Sequence, residues 1–512
     1  RQMCIRDSRH LRDRHRGDLL LIECDVVLED SVLPRLVAHP AIDLAVVSPF
    51  RVGMDGTVVR LDGEHVRELI TTARQGPFFS HVDTYKTVNI YKLSHGLWSS
   101  KLLRLVDWYA DEISSSAYYE NAIGMIAYAS GDALASMIIE PETWHEVDDP
   151  NDLRVARSKF SMPDLSEELE RSHGGWWDFG VVDHEYLRNM HFPPAALIAQ
   201  LRQHLGESIH HYGSSQVVLD EKMSWFIETR QEHTLALAGL SSLYPILADT
   251  LDQPAALLPT PSFGEYSRCY PHASTYDSHL ALAGLATRIE QDRPGHCVIV
   301  DPNNPTGTLH HSDDLVDLAS RFPGTTFWVD ESFLAFTDVP SLSRHPKTPE
   351  NVMVLASLSK TLGVPGLRLG FAWSRNVDLL ERVRRRLPIW AISSPAEMFL
   401  TLALKFKVDY AASLEQTAAD KLALEAMLAD VPGIRVPGDV HGNWVLAEAS
   451  ALPAERSAEL VAMLLDERLV VKDVSERLAA PHPVLRVAVR TGPENERLAE
   501  AIGECLARMS AT

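Results

Sequence analysis

Four polar residues in one stretch of this chain follow short apolar runs, and their types could do chemistry together. In SLSKTLGVPGLRLG (357–370), Lys360 comes after Ser357 and Ser359, and Arg368 lies further along the same segment. DPNNPTG (301–307) carries Asn304, and TTFWVDESF carries Asp330. An amine, a carboxylate, an amide and a guanidinium can grip a charged small molecule and move protons on it. The question is whether Lys360 is a surface lysine after a strand or holds a bound group.

The elements around these residues supply a direction. NVMVLA before Lys360 reads as a short buried strand, and AALLP, HCVIV and TTFWV read the same way. EHTLALAGLSSLYPILAD reads as a strand, a tight turn and a helix. Each run ends in polar residues at its C-terminal end. In open α/β sheets that edge is where ligands bind. After residue 395 come long helical stretches and a smaller α+β tail that includes VLRVAVRTG.

The chain has 512 residues, room for two to four domains. A formal net charge of -22 argues against nucleic acid as the main partner. The five cysteines, Cys4, Cys24, Cys269, Cys297 and Cys505, form no C-x-x-C pair, which fits a reducing compartment. With no apolar run of membrane length and no signal peptide, the cytoplasm is the expected location. Residues 1–16 read as a leader, the first eight resembling translated adapter sequence, and the natural N-terminus is expected to be missing. The polar segment around ARSKFSMPDLSEELERSHGG reads as a linker over 158–175. It separates a first domain, 17–157, from a large domain, 176–395, and a small C-terminal domain, 396–512.

The first domain alternates strand and helix signals, an α/β layered pattern. GDLLLIECDVVL, DLAVVSPF and KTVNIYKLS read as strands, DGTVV as a small hairpin and LLRLVDWYADEI as an amphipathic helix. MIIEPETWHEVDDPNDLRVA reads as a strand followed by a helix that begins near Asn151.

Taken together, NNPTG, WVDES, SLSK and GLRLG make residues 173–512 resemble a fold-type I pyridoxal 5'-phosphate (PLP) enzyme of the histidinol-phosphate aminotransferase and threonine-phosphate decarboxylase group. The resemblance implies a mixed, mostly parallel sheet with a small α+β subdomain. It implies that Lys360 holds the cofactor covalently and shuttles protons at the substrate Cα. Asp330 would pair with the ring nitrogen, and Asn304 with the ring hydroxyl. Ser357, Ser359 and Arg368 would bind the cofactor phosphate, with the backbone amides of Leu240 and Ser241 at a helix N-terminus. Phe263 would stack on the ring, Tyr212 would reach the phosphate of a partner subunit in a homodimer, and Arg486 would grip the substrate carboxylate. The sequence departs from many aminotransferases of this group in one place. Phe333 stands where they carry a tyrosine that donates to the ring hydroxyl, a change expected to move the pKa of the attached lysine. With AVRTGPEN and HGG, the pattern leans toward the decarboxylase branch, so both reaction types stay open.

The first domain resembles the sugar-phosphate and phosphocholine-type cytidylyltransferases, through Asp25 at the end of LLLIECDVV, then KTVNIYKLS, SAYYENAI and WHEVDDPNDL. That implies a Rossmann-like nucleotidyltransferase domain, N-terminally incomplete, that takes a nucleoside triphosphate. Asp25 and Asp148, with Asp149 as the alternative, would hold Mg2+. Lys86 would neutralise phosphate. Glu120, with Tyr118 and Tyr119, would receive a substrate ammonium group. No glycine-rich strand-loop-helix precedes Asp25, so this sequence is expected to bind nucleotide poorly. The whole chain reads as a bifunctional enzyme acting on small phosphorylated or phosphonate amino compounds. A first domain that is a scaffold without catalysis is the competing reading.

Overall fold

The computed structural model describes residues 16–51, 53–76, 79–114, 117–130, 133–250 and 255–511. The leader expected over 1–16 lies outside these except for Arg16. The chain forms two compact units, residues 1–181 and 182–512. The expected linker 158–175 is instead helical. Pro150–Phe160 and Met162–Ser172 are helices, the second with its proline in the first turn, where a missing N–H costs nothing. Proline and Gly-Gly read as a break, but the break between units falls after them.

The first unit is built on a six-stranded sheet. Its order is Leu19–Ile22, Tyr85–Leu93, Leu44–Pro49, Ala135–Ile138, His65–Ile70, Val58–Asp62. Among the described strands of this sheet only Leu44–Pro49 and Ala135–Ile138 pair parallel. This is a mixed sheet. Successive residues alternate between two cores, Ala45 and Val47 in one, Leu44 and Val46 in the other. The hairpin turns at Gly63, where Asp62 pairs with His65, so DGTVV leads into its first strand. LLRLVDWYADEI is helical, with π-helical turns Trp98–Leu102 and Tyr109–Ile113 on either side of Leu103–Trp108.

The second unit carries a seven-stranded sheet in the order Thr234–Leu237, Gly370–Ser374, Val352–Ser357, Thr326–Asp330, His296–Val300, Ala256–Thr260, Ser274–Asp277. Gly370–Ser374 runs against both neighbours, and the remaining pairs are parallel. Both faces are buried. Cys297, Ile299, Phe327, Val329, Val352 and Val354 fill one core, while Val298, Val300, Trp328, Met353 and Leu355 fill the other. Burial on both faces makes such strands read as unbroken apolar runs. The reversed strand begins where its neighbours end, so Arg368, just before it, arrives at the same edge as Asp330 and Lys360.

A second, antiparallel sheet follows, in the order Ile434–Arg435, Trp444–Ala449, Val484–Ala488, Lys472–Asp473. Its core takes side chains from Lys407–Ala429, Ser457–Asp466 and Gly492–Ser510. The helix Ser394–Ala403 places Ala396, Phe399 and Leu400 in the core of the seven-stranded sheet. Large-unit packing therefore continues past residue 395. No helix among the described residues is long and apolar enough to cross a membrane.

Candidate active site

Lys360 sits in the short helix Leu358–Thr361, directly after its strand. Asn189 fixes this turn from another part of the chain. Its amide N–H donates to the Lys360 carbonyl at 2.8 Å, and its side chain donates to the Thr361 carbonyl at 2.9 Å. Gly363 lies beneath the carbonyls of Asn189 and Phe192, with φ +63°, and a Cβ there would stand 2.1 Å from Phe192 O. Only glycine fits.

Burial, with Arg368 and Arg486 nearby, lowers the Lys360 amine from its usual range to about 8. A lysine at about 8 is a competent nucleophile near neutrality. Below that value the neutral fraction falls tenfold per pH unit. Reductive alkylation of Lys360 by a small aldehyde is therefore expected to rise with pH and level off above about 8. Peptide mapping after labelling checks this, and a midpoint near 10.5 would refute the lowered value.

Asp330 ends its strand, buried. Ser332 donates to Oδ1 from its hydroxyl at 2.6 Å and its amide at 3.0 Å, and Tyr266 donates to Oδ2 at 2.7 Å. Burial raises the Asp330 pKa, and these donors and Lys360 oppose it. Asn304 Oδ1 accepts from Arg486 at 2.7 Å, which leaves its NH2 group to donate elsewhere. Arg486 also donates to the Glu185 carbonyl at 2.6 Å. It is buried, and desolvation lowers it to about 10.

Arg368 adopts the left-handed region, φ +54°, a conformation a side chain tolerates only under constraint. Its guanidinium donates to Ser359 Oγ at 3.2 Å and Ser241 Oγ at 3.1 Å. It lies against Gly239, where a Cβ would meet it at 2.5 Å. The guanidinium, two hydroxyls and a backbone with no side chain in the way form a cradle suited to a phosphate. The Leu240 and Ser241 amides open the 3-10 helix Leu240–Ser242, which leads into the helix Tyr244–Thr250. Ser357 ends the strand Val352–Ser357. Its amide donates to Ser332 Oγ at 2.9 Å, and it lines a cavity of about 320 Å³ with Phe226, Glu331 and Tyr410. Phe263 caps the helix Gly264–Cys269 and is partly exposed. Tyr212 is 79% exposed and stacks on Trp390 at 4.3 Å. Phe333 is buried edge-on to Trp444, so no hydroxyl is offered at that position.

The first unit gathers a separate acidic cluster. Ligand atoms of Glu23, Asp25 and Glu146 lie within 4.8 Å of one another, as do those of Asp55, Glu146 and Asp148. The expected pair Asp25 and Asp148 therefore falls in two groups that share Glu146. Asp149 caps the helix Pro150–Phe160, accepting from Asn151 N at 2.6 Å and Asp152 N at 3.0 Å, and this corrects its reading as an alternative ligand. Lys86 is buried and paired with Glu146 at 3.1 Å. Glu120 accepts from Thr57 and from Tyr91, the latter at 2.6 Å. Tyr118 is exposed and Tyr119 buried. Burial and Glu120 raise Glu23 to about 7. Sequence reasoning missed Glu23 and Glu146. Both were legible as acids two residues from Asp25 and Asp148, a spacing that returns to the same face of an extended segment.

An amine, a buried carboxylate and an anion cradle at the edge of a mostly parallel sheet define a class of group-transfer enzyme. The chain belongs to the aminotransferase class I and II family, which matches residues 176–502. It is 34% identical over 98% of its length to CMP-5'-(3-aminopropyl)phosphonate synthase of Streptomyces rubellomurinus, covering 81% of that protein. Two solved structures share the fold of the second unit, each with a TM-score of 0.57. L-threonine-O-3-phosphate decarboxylase of Porphyromonas gingivalis is 21% identical, and 64% of this chain covers all of it. Histidinol-phosphate aminotransferase of Sinorhizobium meliloti, solved with pyridoxal-5'-phosphate, is 17% identical, with 67% of this chain and 94% of that one covered.

Proposed function

We propose that the second unit is a PLP-dependent aminotransferase acting on a small phosphorylated or phosphonate amino compound. The observation that carries this is the convergence of Lys360, Asp330, Asn304 and Arg368 on one sheet edge, with Arg486 bound to Asn304. PLP, when bound, supplies an electron-accepting ring for the pair left when a bond at the substrate Cα breaks. Lys360 would carry and move the proton, Asp330 would pair with the ring nitrogen, and the Asn304 NH2 group would donate to the ring hydroxyl. Arg368, Ser359 and Ser241 would hold the phosphate, and Phe263 would stack on the ring. Arg486 orients the substrate carboxylate. The exposed Tyr212 and Trp390 support a homodimer in which Tyr212 serves the partner's site.

Decarboxylation is the second reading, favoured by Phe333. Without a hydroxyl there, Asn304 alone donates to the ring oxygen from this pair of positions. O-phosphoserine, O-phosphothreonine and phosphonoalanine, each with and without 2-oxoglutarate, separate the two. Glutamate formed only with 2-oxoglutarate and without carbon dioxide supports transamination. Carbon dioxide without a keto acid replaces it with decarboxylation.

We propose further that the first unit is a nucleotidyltransferase domain, using Mg2+ and a nucleoside triphosphate. Support comes from the carboxylates around Glu146 and from a relative that matches 98% of the chain, whose name joins CMP to an aminoalkylphosphonate. An amine made in the second unit would then be the acceptor in the first. A divalent ion at Glu146 would release Lys86 toward phosphate. Glu146→Gln is expected to weaken Mn2+ binding at least about tenfold, because Glu146 belongs to both carboxylate groups. Electron paramagnetic resonance titration checks this, and unchanged affinity would return the unit to the scaffold reading.

A further inference from the structure

Tyr266 has no role in the proposed chemistry, yet its hydroxyl is aimed at the centre of it. It lies in the helix Gly264–Cys269, just past Phe263, and is buried. Its hydroxyl donates to Asp330 Oδ2 at 2.7 Å, and its ring packs edge-on to Tyr244 with centroids 5.0 Å apart. The other carboxylate oxygen is taken twice, by the hydroxyl and amide of Ser332. The Ser332 hydroxyl in turn accepts from the Ser357 amide at 2.9 Å, at the end of the strand that leads to Lys360.

A carboxylate offers about four lone-pair directions. Two on Oδ1 and one on Oδ2 are filled, which leaves one on Oδ2. We propose that Tyr266, with Ser332, is a positioning residue that fixes Asp330 as an anion with Oδ2 presented to the cofactor's ring nitrogen, and so sets where the shared proton rests. This rests on Asp330 being the ring-nitrogen partner, as proposed above.

The physical reason is a balance of two effects. Burial favours a neutral Asp330, and hydroxyl donors favour the charged form. Removing a donor makes the carboxylate more basic. The proton then moves from the ring nitrogen toward Asp330, and the ring loses part of its pull on electrons. Phenylalanine keeps the ring packing and removes the hydroxyl, which also shares a side-chain hydrogen bond with Tyr244, so Ser332→Ala is the companion variant that leaves Tyr244 untouched.

The test is 15N NMR of the protein reconstituted with PLP labelled at the ring nitrogen. The wild-type resonance is expected at the protonated position. In Tyr266→Phe it is expected to move toward the neutral position, with the cofactor still bound by visible absorption and turnover about tenfold lower. A bound cofactor with an unmoved resonance would overturn the role of Tyr266, leaving it a packing residue and the PLP reading intact. Failure of the wild type itself to bind PLP would sink the functional reading and this inference with it. Should Tyr266→Phe not fold, Ser332→Ala reads the same clamp from the other oxygen, and an unmoved resonance there also overturns the proposal.

Discussion

Lys360→Ala is expected to lower turnover by at least about 10⁴-fold, because the proposed reading gives one side chain both the covalent attachment and the proton transfer. The visible absorption of the reconstituted protein should vanish with it. The loss should be chemical and not structural. Lys360 is an unfavourable charge to bury, as its lowered pKa records, so an alanine there relieves desolvation. Thermal unfolding of the cofactor-free variant should therefore match or exceed wild type at pH 7. A variant that retains the wild-type spectrum would remove the PLP assignment from this chain.

Arg486→Ala is the second large effect. The guanidinium is buried and holds Asn304 at 2.7 Å, so its loss removes the carboxylate anchor and loosens the amide assigned to the ring hydroxyl. Two charge-assisted bonds at about 1.5–3 kcal/mol each place the fall in kcat/KM for an amino acid near 10³-fold. A primary amine that lacks a carboxylate should be spared most of this. Steady-state kinetics on such a pair checks the assignment, and an equal fall for both substrates would mean that Arg486 supports the fold and does not read the substrate.

The catalytic edge was legible because its strands are buried on both faces. Runs such as HCVIV and TTFWV then stand out, and the first polar residue after each is delivered to one edge. Asp330 was found in this way, and Lys360 and Arg368 through the motifs SLSK and GLRLG. Tyr266 was not, because its partner lies 64 residues away and a tyrosine in a short helix reads as packing. Asn189 was missed for the same reason, since it reaches Lys360 and Thr361 from across the fold. The linker was misread because proline and glycine mark helix starts and ends as readily as breaks. In the first unit, Asp149 looked like a ligand because a capping box and an acidic metal motif share the same letters. The side-chain bonds to Asn151 N and Asp152 N separate the two.

The segment that carries Asn189 has a consequence for how the protein is made. It enters the second unit through Val182–Asp183, whose strand partner is Leu469–Val470, and His184 faces the Ala488 carbonyl. Those partners leave the ribosome long after the lysine they help to position. During synthesis the parallel strands can assemble while this clasp still waits for its other half. Lys360 therefore becomes fully seated only late in translation, and an unfinished chain carries the amine without the setting that makes it reactive.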